Sequence, residues 1–421
     1  MTTVASGLAP TRIVLSNGAI VLVKETRKTP AVTLNVAMRA GSVCDPAGSP
    51  GAMYLLSRVI DRGTVTRSAA AIADELDNRG VSLNIVVSRH LFSLLCTCLA
   101  EDVEPILELL GDIVTAPTVP DAELATRKGE VITLLRQDED NPAVRAVEEL
   151  MALLYGRSHE YGRPQKGTSD TVEHLTREQL LELHAARFAP AALTVVVVGD
   201  VDSGRVAAIT DQVFGSWRAA SPVPVHLSPP PLATSRRRRV IPMMNKSQAD
   251  IAYGFTTITR RDPAYYAYWL MNNALGQYAL GGRLGDSIRE RQGMAYYVSS
   301  AFDPNIVEGP LMIRAGVSAP NVDRAIASID EELSAVRRSG ITAKELTESR
   351  QYLIGSLPRS LETNAAIAQF LQSAEFFGLG LDYDVRLPDL LGRVTIDEVH
   401  AAAQPLDPER ATVVVAGPYQ G

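Results

Sequence analysis

Ala192-Leu-Thr-Val-Val-Val-Val-Gly-Asp200 and Ala411-Thr-Val-Val-Val-Ala-Gly-Pro418 are one element written twice: an apolar strand closed by a turn. Each follows a helix-like stretch that opens on a threonine cap with an acidic residue in the first turn, Leu175-Thr176-Arg-Glu-Gln-Leu-Leu-Glu-Leu-His184 and Val394-Thr395-Ile-Asp-Glu-Val-His400. The order upstream also matches. A helix leads into Val81-Ser-Leu-Asn-Ile-Val-Val in one half and into Met294-Ala-Tyr-Tyr-Val-Ser-Ser in the other. A second strand follows, His90 to Leu99 and Pro310 to Val317, then an amphipathic helix, Val103 to Val114 and Val322 to Val336. The first half opens with Thr11-Arg-Ile-Val-Leu-Ser-Asn17-Gly18-Ala-Ile-Val-Leu-Val, where Asn-Gly between apolar runs marks a hairpin. Hairpins mixed with helices predict an α+β fold of two homologous domains, each a mixed, mostly antiparallel sheet packed by helices. Between the halves, Pro222, Pro224, Pro229, Pro230 and Pro231 precede Arg236-Arg-Arg-Arg239. This stretch reads as a linker over 219–240, separating domains at 1–218 and 241–421.

The chain has 421 residues, 46% hydrophobic and 21% charged, with a net charge of -7. Two or more domains are expected at this length. The negative balance argues against a nucleic-acid partner, and the one arginine run reads as solvated linker. No apolar run reaches the roughly 18 residues that span a bilayer, so no membrane span is expected. Met1 to Pro10 lacks a secretory pattern. The expected compartment is cytoplasmic, although an already processed periplasmic chain would look the same. Cys96 and Cys98 share one face of a strand and read as small buried hydrophobes. No GxGxxG or GxxxxGK[ST] pattern supports nucleotide binding.

A third stretch carries chemistry by what it lacks. Gly51-Ala-Met-Tyr54-Leu-Leu-Ser57-Arg58-Val-Ile-Asp-Arg-Gly63-Thr64 begins and ends like a metal-site helix. It resembles, without gaps, the zinc segment of the inverted-zincin peptidases: the pitrilysin, insulinase and mitochondrial-processing-peptidase family. In that H-x-x-E-H pattern two histidines four apart hold zinc and the glutamate is the general base. Here the histidine positions hold Tyr54 and Arg58, and the glutamate position holds Ser57. The third ligand of the family precedes an Asp-Asn-Pro turn, and in Lys128-Gly-Glu-Val-Ile-Thr-Leu-Leu135-Arg-Gln-Asp-Glu-Asp140-Asn141-Pro142 it falls on Leu135. A supporting acidic position falls on Lys128. The chain's six histidines, His90, His159, His174, His184, His226 and His400, include no pair at ligand spacing and read as surface or cap residues. No metal is expected on this chain.

The resemblance extends downstream. Tyr161-Gly162-Arg163-Pro164 with Gly167-Thr168, and Arg187-Phe188-Ala-Pro190 before the valine strand, resemble the same family's loops. In the second half Gly281-Gly282-Arg283-Leu284 leads toward Arg289-Glu-Arg-Gln-Gly293, followed by Met294-Ala295-Tyr296. This resembles the family's Arg-Tyr element, which implies that Arg289 and Tyr296 reach the substrate, with Gly281 and Gly282 beside it. A phenol and a guanidinium aimed at a developing oxyanion stabilise it. From residue types alone, Arg289 as a helix cap and Tyr296 as a packed strand residue is the better reading, and it is the resemblance that turns both toward a functional role. Tyr297 is expected on the opposite sheet face from Tyr296.

What the resemblance implies is a clamshell of two domains forming the non-zinc subunit of a heterodimeric peptidase. A homologous partner would carry the H-x-x-E-H helix and the zinc, and the substrate would be a peptide or unfolded protein. Two other readings stay open: a structural subunit of a larger complex, similar to respiratory-complex core proteins, and a homodimeric peptide-binding chamber.

Overall fold

The β-branched runs become strands and the amphipathic runs helices, in the expected order. The computed structural model describes residues 7–277 and 282–421. Its strands are β1 (Thr11–Val14), β2 (Ile20–Glu25), β3 (Ala31–Met38), β4 (Asn84–Val87), β5 (Phe92–Leu99), β6 (Leu193–Gly199), β7 (Arg237–Pro242), β8 (Ala249–Thr256), β9 (Ala295–Phe302), β10 (Pro310–Val317) and β11 (Thr412–Gly417). One sheet runs β1-β2-β6-β3-β5-β4 and the other β7-β11-β8-β10-β9. Apart from the added β1, the two orders are the same. In each, the final strand of the half pairs parallel to the opening strand and antiparallel to the next, so both sheets are mixed and mostly antiparallel. The repeat in the sequence is therefore a repeat in topology. Asn17-Gly18 turns β1 into β2, with Gly18 at φ +89°.

The compact units do not coincide with the two halves of the chain. Unit 1 holds 1–135, 164–226 and 357–385; unit 2 holds 136–163, 227–356 and 386–421. The expected boundaries at 218 and 241 followed the repeat, whereas packing follows helices that leave their own half. The helix Pro142–Tyr155, encoded in the first half, packs on β8 and β11. Gly254 of β8 gives it room, since a Cβ there would lie 2.9 Å from Leu150 Cδ2. Its counterpart in the second half, Asn364–Phe377, packs on β3 and β6. Ile367, Ala368 and Leu371 close a core with Leu22, Val196 and Val198. Each leucine, isoleucine or valine of this core contributes about 1.5–3 kcal/mol when fully buried. Asn364 Nδ2 also donates to the Ala31 carbonyl at 3.0 Å, and Arg12 pairs with Glu375 at 2.9 Å.

Three local expectations change. The linker ends before 240, because Arg237–Pro242 forms β7, an edge strand whose proline closes it. The arginines of that run are engaged within unit 2: Arg236 with Asp330, Arg238 with Asp323 and Tyr419, and Arg237 with the Leu153 carbonyl. His90 and His184 are buried, not surface or cap residues. His184 lies over Phe188, with Nε2 2.8 Å from the Val114 carbonyl. Burial lowers both histidines' pKa values, His90 to about 4. Cys96 and Cys98 are buried as expected, their thiols pushed up to about 12 by burial.

His90 makes stability depend on pH. Its folded pKa lies below the unfolded value, so below about 6.5 the unfolded chain binds the proton first. Stability is full above 6.5, falls as the pH drops, and the loss is complete below about 4. Urea midpoints measured from pH 7.5 to 4.5 should fall, by about 2 kcal/mol from this group. His90→Asn should flatten the profile; an unchanged slope would remove His90 as its cause.

Candidate functional site

The short helix Ala52–Val59 is built by residues on either side of it. Asp45, 6% exposed, accepts from the backbone N–H of Gly51 at 2.8 Å and of Met53 at 2.7 Å. That carboxylate satisfies otherwise unpaired donors of the first turn. Gly51, at φ +91°, enters the helix against the 161–168 loop. A Cβ on Gly51 would lie 2.5 Å from the Lys166 carbonyl oxygen, and one on Gly167 would lie 2.4 Å from that of Pro50. Thr171 Oγ1 donates to the same Pro50 carbonyl at 2.9 Å. At the far end, Thr64 Oγ1 accepts from Arg67 N at 2.9 Å, and a Cβ on Gly63 would meet Thr118 and Pro120. The glycines and threonine that survive in the motif are thus the ones its backbone needs. Asp45 and Thr171 escaped the sequence reading, because a distant side-chain cap leaves no periodic signature.

The positions that would hold metal have different chemistry. Tyr54 is half-buried, Ser57 is buried and Arg58 is exposed. Ser57 Oγ donates to the Tyr54 carbonyl at 2.6 Å. Leu135 is 4% exposed, and Lys128 Nζ donates to the Glu173 carbonyl at 2.9 Å. Zinc takes thiolate, imidazole or carboxylate ligands. A phenol, an alcohol, a guanidinium and an isobutyl group do not fit it. No cluster of three His, Cys, Asp or Glu that could hold a metal occurs among the described residues.

Unit 2 carries the other element. Arg289 lies on a π-helical turn, Gly285–Arg291, whose Ser287 and Ile288 are buried while the Arg289 side chain is 46% exposed. Wide turns of this kind are rare and concentrate at functional sites. The turn packs against β9, which bears Tyr296. Register explains how Tyr296 is presented. Gly316 of β10 faces Tyr297 and Val317 faces Ala295, so Tyr296 is the extra residue of a β-bulge. The bulge puts both Ala295 and Val298 into the core, although three-residue spacing in a regular strand would place them on opposite faces. Tyr296 is left 82% exposed. Tyr297 instead lies against Gly316, where a Cβ would stand 2.5 Å from its ring, and its hydroxyl donates to buried Asp250. Burial, then this hydrogen bond, pushes the Tyr297 phenol up to about 12.

Neither the Arg289 nor the Tyr296 side chain has a hydrogen-bond partner among the described residues; Glu290 is 3.8 Å from Arg289 Nε. Of the glycines named beside them, Gly281 lies outside the described residues. Gly282 is buried, and a Cβ there would come 2.9 Å from the Gly276 Cα. Its role here is close backbone packing. Arg283 next to it makes a two-pronged pair with Glu345, at 2.6 and 2.8 Å, tying the start of this segment to the Ala343–Ser360 helix.

The two units share one sheet topology, one carrying the Ala52–Val59 helix with Tyr54, Ser57 and Arg58 and the other an exposed Arg289 and Tyr296. The insulinase model of peptidase family M16 matches residues 20–169, and the model described as the peptidase M16 inactive domain matches 174–353. The chain belongs to the insulinase family, peptidase family M16. It is 27% identical over 420 residues to an uncharacterised zinc protease of Mycobacterium tuberculosis strain H37Rv, covering 99% of this chain and 94% of that one. It is 26% identical to the uncharacterised zinc protease YmxG of Bacillus subtilis, covering 97% and 98%. A solved peptidase M16 inactive domain from Pseudomonas fluorescens superposes with a TM-score of 0.88 at 28% identity, over 98% of both chains. A protease from Helicobacter pylori shares the fold, with a TM-score of 0.88 at 18% identity, over 97% and 99%. No helix among the described residues is long and apolar enough to cross a membrane.

Proposed function

We propose that this chain is the metal-free subunit of a two-subunit peptidase and supplies Arg289 and Tyr296 to a site whose zinc and general base belong to a homologous H-x-x-E-H partner. The observation that carries the reading is a division of labour. The ligand and base positions hold Tyr54, Ser57, Arg58 and Leu135, while a bulge presents Tyr296 to solvent on the strand packed against the turn that bears Arg289. A scaffold gains nothing from two exposed polar side chains without hydrogen-bond partners among the described residues, one on a wide turn and one on a bulge. In amide hydrolysis negative charge develops on the scissile carbonyl oxygen. The Tyr296 hydroxyl and the Arg289 guanidinium would donate to it, and the guanidinium fork also suits backbone carbonyls of an extended peptide. Water activation would be the partner's zinc chemistry.

Mixing tests the proposal. The purified chain, with zinc added, should cleave no denatured-protein substrate. Combined with a co-expressed homologous H-x-x-E-H protein, it should raise cleavage well above that of the partner alone. Cleavage by this chain by itself, or no gain on mixing, overturns it.

A further inference from the structure

The sheet of unit 2 carries a charge that the Arg-Tyr pair leaves unused. Register sets Asp250, Ala252 and Gly254 of β8 beside Gly316, Arg314 and Met312 of β10, with Tyr297, Ser299 and Ala301 of β9 next to those. Leu150 and Leu154 of the Pro142–Tyr155 helix lie over Gly254 and cover that end. Arg314 is half-buried, and its direct cross-strand neighbours are Ala252 and Ser299, both small and uncharged. The acid of this face nearest to it in register, Asp250, is one diagonal step away and takes the Tyr297 hydroxyl. The Arg314 side chain hydrogen-bonds the Tyr297 phenol, its guanidinium carbon 6.0 Å from the ring centre, but no carboxylate pairs with it among the described residues.

Other half-buried arginines of this unit have a carboxylate or carbonyl partner, although Arg237 and Arg350 each keep a buried Nε without one. Arg236 pairs with Asp330, Arg283 with Glu345 and Arg337 with Asp407, and Arg350 donates to the Val394 carbonyl. A guanidinium partly withdrawn from water has lost hydration that a carboxylate would restore in two-pronged form. β9 is the outer strand of this sheet, with no further strand paired to it among the described residues.

We propose that Arg314 is a carboxylate-binding subsite that selects extended peptides bearing an acidic group at the position lying over β10. The inference rests on the peptide-handling role proposed above and adds a substrate preference to it. The carboxylate has two sources of one chemistry, an Asp or Glu side chain within the peptide or its free C-terminus.

Binding to this chain alone separates them. The probes are three fluorescein-labelled Ala/Ser/Thr peptides: one with a central Glu and an amidated end, its Gln counterpart, and the Gln peptide with a free C-terminal carboxylate. By fluorescence anisotropy one carboxylate-bearing probe should bind about tenfold tighter than the neutral one, the effect of one charge-assisted contact. Tighter binding of the Glu peptide identifies a side chain, and tighter binding of the free acid identifies a chain end. Arg314→Gln should erase the preference while leaving the neutral peptide's affinity unchanged. Arg314→Lys, which keeps the charge without the fork, should restore part of it. Absence of binding, equal binding of all three probes, or a preference that survives Arg314→Gln overturns the subsite. The test is independent of cleavage. An Arg314-dependent preference without turnover in the mixed enzyme removes only the peptidase role, and turnover without the preference removes only the subsite.

Discussion

Replacing Tyr296 by Phe is expected to cut the turnover of the reconstituted two-subunit enzyme by about 10²–10³, and Arg289→Ala by a similar factor. The phenylalanine keeps the ring and the bulge and removes only the hydroxyl. A donor that acts on the developing oxyanion is strongest in the transition state, so kcat should carry most of the loss and KM little. Both side chains are exposed and make no hydrogen bond among the described residues. Urea midpoints and co-elution with the partner should therefore match the unsubstituted chain, since surface changes of this kind usually stay within about 0.5 kcal/mol. Steady-state kinetics on one peptide substrate reads the split. Turnover within twofold of wild type in both variants would show that neither residue meets the reacting carbonyl.

Gly51→Ala and Gly167→Ala should each destabilise unit 1 by about 3 kcal/mol. Two costs add. Both residues have positive φ, +91° and +79°, where an L side chain costs about 1–2 kcal/mol. Both would also drive a Cβ into backbone, within 2.5 Å of the Lys166 carbonyl oxygen and 2.4 Å of the Pro50 carbonyl oxygen. Overpacking of this kind typically costs about 1–3 kcal/mol. The two glycines face each other, so the double variant should lose less than the sum. Gly129→Ala is the control. It sits inside the Asp121–Glu139 helix with nothing within 4 Å of its Cβ position, and should gain about 0.5–1 kcal/mol. Urea unfolding followed by circular dichroism measures all four variants. A Gly167→Ala protein as stable as wild type would mean that the 161–168 loop does not brace the Ala52–Val59 helix.

Much of the fold was legible in residue order. Valine-rich runs at 193–199 and 412–417, the Asn17-Gly18 turn and the Thr176 and Thr395 caps are short-range signals, and each produced its element. The Ala52–Val59 helix was legible for the same reason, because the spacing that marks it is local. The bulge at Tyr296 was not. Met294-Ala-Tyr-Tyr-Val reads as an ordinary strand, and the bulge arises from Gly316 and Asp250, which receive the Tyr297 ring and hydroxyl from other strands. Arg314 gave no signal either, since a lone arginine in an apolar strand is remarkable only once its cross-strand neighbours are known.

By itself the sequence determined the repeated α+β plan, and it put forward Tyr54, Ser57, Arg58 and Leu135 as the residues at the metal positions and Arg289 and Tyr296 as candidates. These depend on local backbone preference and on which chemical groups are present. Only the tertiary structure decided which sheet each helix covers. An amphipathic stripe states that a helix has a face to bury, but not against what. Pro142–Tyr155 and Asn364–Phe377 each bury theirs on strands encoded in the opposite half of the chain. The same limit applied to the site: register between distant strands, which no local pattern records, turned Tyr296 outward and left Arg314 without a counter-charge.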